Sequence, residues 1–356
     1  MTIFSRRSFM AAAAATPLVL RVAPASAAPL PPGAAALIDD FVARQKLGGS
    51  VAFGRQGKIT SSRVFGLADR ERGIAFGPAT TVRIGSVSKW LTTVAVLRLA
   101  ERGLLSIDAP LRAALPELVG PYGDVPLVQL LANSSGIPDR VTQAIGAEPG
   151  LRASLAGSRE MVARFGSGEL AFAPGTRFDY AFNNWVLIHA AIERVTKARF
   201  EDVLAREVFR PAGLRQTGFA DTRTGPLPGS ARAYDNGGKL KEALVPPFGG
   251  ASGNIVSGAA DLVRAAHAIF DTRRLLTPQS RTRLVTVRMA DDHYALGGRV
   301  RDIAGRQVAW ETGKVQGYRT HLAHDLSSGR SVVLLSNSDT SQDDMTALVD
   351  RLLPYA

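Results

Sequence analysis

Four residues, Ser86-Val87-Ser88-Lys89, carry the first chemical suggestion in the chain. A spacing of three puts Ser86 and Lys89 side by side on one face of a helix. Val87, Trp90, Leu91, Val94 and Leu97 recur at helical spacing and Gly103 stands at a stop position, which predicts a helix over 86–102. Ser86 then sits in the first turn, where free backbone N–H groups and the helix dipole favour negative charge. A serine hydroxyl becomes a useful nucleophile once a neighbour takes its proton. A lysine does this when burial or a nearby cation disfavours its charge. The chemistry expected is acyl transfer through a serine ester. Taken alone, the same quartet also reads as an N-capping serine and a solvated lysine.

Other chemistries find little support. The chain has no cysteine, which excludes thiol catalysis, cysteine-ligated metals and disulfides. The five histidines show no metal-binding spacing such as H-E-x-x-H. No G-x-S-x-G stretch occurs, and Gly249, Gly250 and Gly253 do not fit a G-x-G-x-x-G loop. No metal and no cofactor are expected. The formal charge of +12 is scattered rather than gathered into runs, so it reads as solubility and not as a nucleic-acid surface.

The elements that must position this pair are legible as periodicities. Helices are expected over 33–46, 127–131, 184–195, 200–208 and 342–353. Strands are expected over 50–53 and 62–67, joined through the turn Arg55-Gln56-Gly57-Lys58, and again over 294–300, 307–312, 318–324 and 331–335. Strands at both ends with helices between imply an α+β fold: an antiparallel sheet formed by both chain ends and flanked by helices, with a mainly helical lobe inserted between. The sheet lobe is expected over about 34–103 and 289–356, and the helical lobe over about 104–288. Segments 147–168 and 222–247 are expected to shape the pocket where the lobes meet.

The first 27 residues read as a leader. Arg6 and Arg7 precede a short Ala-rich apolar run, and Ala25-Ser26-Ala27 gives small residues at a cleavage site. The pattern resembles a twin-arginine export signal, which leaves one domain over 28–356, no transmembrane segment in the mature protein, and a periplasmic or secreted location.

The stretch RIGSVSKWLTTVAVLRLAERGLLSIDAPL resembles the nucleophile segment of serine β-lactamases of class C, penicillin-binding DD-peptidases and related esterases. Further segments follow in that family's order: Leu130-Leu131-Ala132-Asn133-Ser134-Ser135-Gly136-Ile137-Pro138, Pro174 to Tyr180, Ala251 to Leu262, and Trp310-Glu311-Thr312-Gly313 with Gly317-Tyr318. The resemblance implies a β-lactamase/transpeptidase-like fold. It gives Ser86 as nucleophile, Lys89 as base and Tyr180 as a phenol that shuttles protons, held as a phenolate below its free pKa by nearby cations. The N–H groups of Ser86 and Lys314 would form the oxyanion hole.

Substrate contacts would fall on Phe182, Asn184, Glu311, Thr312 and Gly313, and two of these depart from the family pattern. Its Tyr-x-Asn motif is here Tyr180-Ala181-Phe182, so the amide that would bond to substrate is missing; Asn184 has its own match in the family. Its Lys-Thr-Gly motif is here Glu311-Thr312-Gly313, an anion where a cation would attract a substrate carboxylate. That anion would also hold Lys89 charged through an ion pair. The reading that follows is a hydrolase of small esters, amides or peptides, esterase-like more than β-lactamase. A DD-peptidase or β-lactamase, or an envelope binding protein with weak turnover, is the alternative.

Overall fold

The computed structural model describes residues 28–45 and 48–356. The leader expected over 1–27 and the last residue of the helix expected over 33–46 lie outside the described residues. Six antiparallel strands form the main sheet, in the order Arg299–Ile303, Arg306–Val315, Tyr318–Asp325, Arg330–Ser336, Gly49–Arg55 and Lys58–Phe65. The first strands of the chain thus pair with the last: Gly49 faces Ser336 and Arg55 faces Arg330. Two of the hairpins turn on residue pairs with positive φ, Gln56-Gly57 (51° and 73°) and Ala304-Gly305 (52° and 78°). That geometry matches the twist of antiparallel strands.

Both faces of the sheet are covered, which is why the strand Gly49–Arg55 is buried at six consecutive positions instead of alternating. On one face Val51, Phe53, Val332 and Leu334 pack with Ala34, Ile38 and Phe41 of the helix Pro32–Arg44 and with Met345, Val349 and Leu352 of the closing helix Gln342–Leu352. Ser341 caps the latter, its hydroxyl accepting the N–H of Asp344 at 3.2 Å. On the other face Ala52, Val333, Leu335 and Leu322 join one large core with the helix Ser88–Glu101 that follows Ser86 and with the helical lobe. No helix among the described residues is long and apolar enough to cross a membrane.

Three expectations need correction. The helix Ala259–Ala266, assigned by sequence to the helical lobe, lies on the sheet: Val263 fills the space over Gly54, where an added Cβ would come within 2.3 Å of it. The strand expected over 294–300 begins only at Arg299, because Gly297 and Gly298 press against the helix Ser88–Glu101; a Cβ on Gly298 would meet the Trp90 indole nitrogen at 1.9 Å. The helix expected over 86–102 opens with a separate 3-10 turn, Gly85–Val87, before the α-helix Ser88–Glu101. Gly103 ends it in the left-handed conformation at φ 71°, with Leu104 N–H donating to Leu99 O at 3.0 Å.

Candidate active site

The turn that carries Ser86 is pinned from both sides. Ile84 N–H donates to Ile255 O at 2.9 Å, tying the turn to the short strand Ile255–Ser257. On the other side it touches the strand Arg306–Val315 backbone to backbone. Gly85 has φ 52°, and a Cβ there would stand 2.7 Å from Lys314 N; a Cβ on Gly313 would stand 1.9 Å from Ile84 O. Two glycines therefore let the N–H of Lys314 approach the nucleophile turn.

One turn on, Lys89 is 3% exposed. Its Nζ donates to Ser86 Oγ at 3.1 Å and to the carbonyl of Ser252 at 3.2 Å. It also lies 4.8 Å from the ring centroid of Tyr180 and 5.3 Å from that of Trp185. Burial, helped by the Arg299 charge and opposed by Glu311 and Asp139, brings the lysine down to a pKa of about 7. Near neutrality a large share of Lys89 is therefore the free amine, within hydrogen-bond reach of the Ser86 hydroxyl at 3.1 Å.

The third group arrives from 94 residues away: Tyr180 Oη donates to Ser86 Oγ at 2.7 Å. Asn133 holds it there. In the left-handed conformation (φ 51°), Asn133 accepts the N–H of Asp179 on its carbonyl at 2.7 Å, and its side-chain Oδ1 accepts Trp185 Nε1 at 3.2 Å and Asn184 Nδ2 at 3.3 Å. The ring of Tyr180 meets that of Tyr294 edge-on at 6.3 Å. The expected phenolate is not what this environment favours. Burial of the hydroxyl, reinforced by the Glu311 charge, pushes the phenol above its ordinary pKa, and this outweighs the bond to Ser86 and the Arg299 charge. That direction favours the neutral phenol, which donates its hydroxyl hydrogen to Ser86 Oγ.

Glu311 also departs from expectation. It is 1% exposed and does not line the cleft. Arg299 Nη1 reaches its two oxygens at 2.8 and 3.0 Å, and Thr312 N–H donates to Oε1 at 2.9 Å. Its charge is therefore matched by a guanidinium and is not presented to substrate. Burial raises the carboxyl's pKa, with Arg299, the Thr312 N–H and Lys89 pulling the other way. Strand alternation puts Glu311 and Gly313 on the face toward Ser86, and Thr312 on the opposite face with Trp310 and His321. Thr312 too stays out of the cleft. Asn184 is fully buried and accepts Ser135 Oγ at 2.6 Å, so it braces the Asn133 segment and does not reach substrate.

The cleft itself encloses about 420 Å³ beside Ser86, Lys89 and Tyr180. Phe182 lines it and packs its ring 5.8 Å from that of Phe248, forming an apolar wall with Ile145 and Val245. Asp139, Arg152 and Lys314 supply the other charges around it. Segments 147–168 and 222–247 contribute only Arg152 and Leu244 to Pro246. Sequence reasoning missed Arg299, Asp139 and the carbonyl of Ser252. Arg299 was within reach of it: the hairpin over Ala304-Gly305 sets Arg299 opposite Trp310, next to Glu311.

Comparison with known proteins gives one consistent result. A family described as Beta-lactamase matches residues 34–354. The D-aminopeptidase of Gluconobacter oxydans (strain 621H) is 27% identical over 82% of this chain and 55% of its own length. Esterase EstB of Burkholderia gladioli is 34% identical over 52% of this chain and 50% of its own. The matches thus span about half the length of these curated relatives. A penicillin-binding protein from Bacillus halodurans superposes with a TM-score of 0.78 at 25% identity, covering 90% of this chain and 98% of that one.

Proposed function

The chain belongs to the β-lactamase family, and from that premise we propose that it is a serine hydrolase working through an acyl-enzyme on small esters or amides. The observation that carries this reading is the convergence of Lys89 Nζ and Tyr180 Oη on Ser86 Oγ, at 3.1 and 2.7 Å.

The steps follow from the groups present. Lys89, as the free amine, takes the Ser86 proton while Oγ bonds to the substrate carbonyl carbon. The N–H groups of Ser86 and Lys314 hold the oxyanion. The bond from carbon to the leaving oxygen or nitrogen breaks, and the proton held by Lys89 passes to the leaving group by way of Tyr180, which gives up its own proton as it receives that of the lysine. Water then loses a proton by the reverse route, through Tyr180 to Lys89, as its oxygen bonds to the acyl carbon; the bond from that carbon to Ser86 Oγ breaks, the acid leaves, and Lys89 returns the proton to Oγ.

Substrate choice follows from what lines the cleft. The family cation that meets a substrate carboxylate is replaced by a buried Glu311 neutralised by Arg299, and the family amide by Phe182. Both changes favour uncharged, apolar acyl groups, hence esterase activity over β-lactamase or DD-peptidase activity. A specific observation supports a second reading. Asp139 lines the cleft, and its two backbone bonds, from Thr142 at 3.2 Å and Asn183 at 3.3 Å, both use Oδ1. A substrate amine, such as that handled by a D-aminopeptidase, would suit the other oxygen. We assign residues 1–27 to twin-arginine export and place the mature protein in the periplasm or outside the cell.

The test is hydrolysis of p-nitrophenyl acyl esters, penicillins and amino-acid p-nitroanilides by the wild type and by Ser86→Ala and Asp139→Asn. Ester hydrolysis that survives Ser86→Ala removes the proposal. Activity confined to p-nitroanilides and lost in Asp139→Asn selects the second reading.

A further inference from the structure

Arg83 stands three residues before Ser86, at the end of the short strand Val82–Arg83, and has no part in the reaction above. The residue is 9% exposed, and its Nη1 donates to the carbonyl of Ala220. No carboxylate among the described residues comes within ion-pairing distance of it. Asp221, whose charge it feels, is already held by the Arg223 guanidinium at 3.0 Å and by the N–H groups of Arg223 and Thr224 at 2.8 and 3.1 Å. A buried guanidinium left without an anion is costly unless something brings it one.

Arg83 and Ala220 both line a cavity of about 940 Å³. Leu244 and Val245 line this cavity and the catalytic cleft alike, so the two spaces are neighbours across that segment. Around Arg83 the walls alternate between charge and hydrocarbon. Leu227, Leu244 and Val256 supply apolar surface; of the other cations on the walls, Arg232 and Lys241 are paired with Glu71 and Asp339 and Arg72 is exposed, which leaves Arg83 as the buried cation without an acidic partner. A single negative charge on an apolar body meets all of these conditions. The planar guanidinium fork pairs best with a planar carboxylate.

We propose that this cavity is a binding site for a small organic carboxylate, its head group paired with Arg83 and its hydrocarbon part laid against Leu227, Leu244 and Val256. The strand bearing Arg83 runs directly into the turn Gly85–Val87, so occupancy stiffens the backbone that presents Ser86. Binding itself requires no turnover and stands or falls separately from the hydrolase reading.

The test titrates the isotopically labelled full chain with sodium hexanoate and, separately, with neutral hexanamide, following the Arg83 Nε–H resonance by NMR. Hexanoate is expected to shift that resonance saturably and hexanamide to leave it in place. Arg83→Met is expected to weaken hexanoate binding roughly tenfold or more, the loss of one charge-assisted pair. Ser86→Ala is expected to bind as the wild type does. An unmoved Arg83 resonance, an equal response to the amide, unchanged affinity in Arg83→Met, or binding lost in Ser86→Ala each overturns the proposal. Should Arg83→Met fail to fold, the wild-type resonance decides alone.

Discussion

Arg299 grips Glu311 with a single nitrogen that reaches both carboxylate oxygens, at 2.8 and 3.0 Å, and both charges act on Lys89. The pair sets the charge that Lys89 feels: Glu311 raises the lysine's pKa and Arg299 lowers it. Glu311→Gln removes the anion and leaves Arg299 unmatched. Breaking a buried pair from one side costs about 3 kcal/mol, read as a fall in ΔG of urea unfolding. The same change lets the Lys89 pKa fall further, so the acid limb of kcat/KM moves to lower pH. A limb that stays in place, or moves upward, contradicts the placement of Glu311. Arg299→Met in the same background is expected to recover part of the lost stability, because the two residues act as one unit.

A lysine brought down to about 7 has two signatures in pH. For activity, the base form dominates above the folded pKa, so kcat/KM rises with pH through about 7 and then levels. For stability the sign is that of a depressed lysine. The unfolded chain, at an ordinary pKa near 10.5, binds the proton that the folded state releases. Stability therefore climbs between about pH 7 and 10, by up to about 1.4 kcal/mol per pH unit from this group. Lys89→Met abolishes turnover and flattens that slope. Parallel slopes for wild type and variant across pH 7.5 to 9.5 would show that Lys89 is not desolvated.

Tyr180 is expected to act as a neutral phenol. Its pKa lies above the ordinary value because its hydroxyl is buried beside Glu311, so it adds no alkaline limb to the activity profile below about pH 10. Tyr180→Phe keeps the ring contact with Tyr294 and removes the proton donor. A loss of about 10²- to 10³-fold in kcat is expected, with an unfolding midpoint close to that of the wild type, since only the hydroxyl is removed and the ring packing stays. Steady-state assays with a p-nitrophenyl ester measure the first, and thermal unfolding the second. A kcat within threefold of wild type would remove Tyr180 from the proton path.

What the sequence could and could not reveal divides along physical lines. The helix behind Ser86 and Lys89, the strands at both ends and the turn at Gln56-Gly57 were legible because periodicity and turn chemistry are local. Register was not. Glu311 is buried and neutralised by Arg299 across the hairpin, where the sequence reads as an anion facing substrate; the two expected strands bring that pairing within reach but do not fix its register. Asn184, which the family resemblance counts among the substrate contacts, is turned by helical geometry onto Ser135 and Asn133. The Tyr180 phenolate failed for a similar reason. Its nearest charges include Glu311 as well as cations, and burial outweighs the cations. The helix Ala259–Ala266 falls within the stretch 104–288 yet packs on the sheet through Val263 over Gly54, a contact that no local pattern reveals.

Gly85 offers the sharpest probe of the contact between the nucleophile turn and the strand that carries Lys314. Its φ of 52° is costly for an L side chain, by about 1 kcal/mol, and an added methyl would lie 2.7 Å from Lys314 N and 3.0 Å from the Gly313 backbone. Those neighbours are strand backbone, paired to Arg319 and Thr320 across the sheet, and cannot step aside the way a flexible side chain does. In Gly85→Ala the turn and the strand must separate, which carries the N–H of Lys314 away from that of Ser86. Loss of one oxyanion donor lowers kcat by about a hundredfold or more while leaving ground-state binding largely intact. The expected result is a kcat reduced to that extent, a KM changed by less than about threefold, and far-UV circular dichroism like that of the wild type. A variant whose kcat stays within twofold would mean that the two N–H groups do not act together on the substrate.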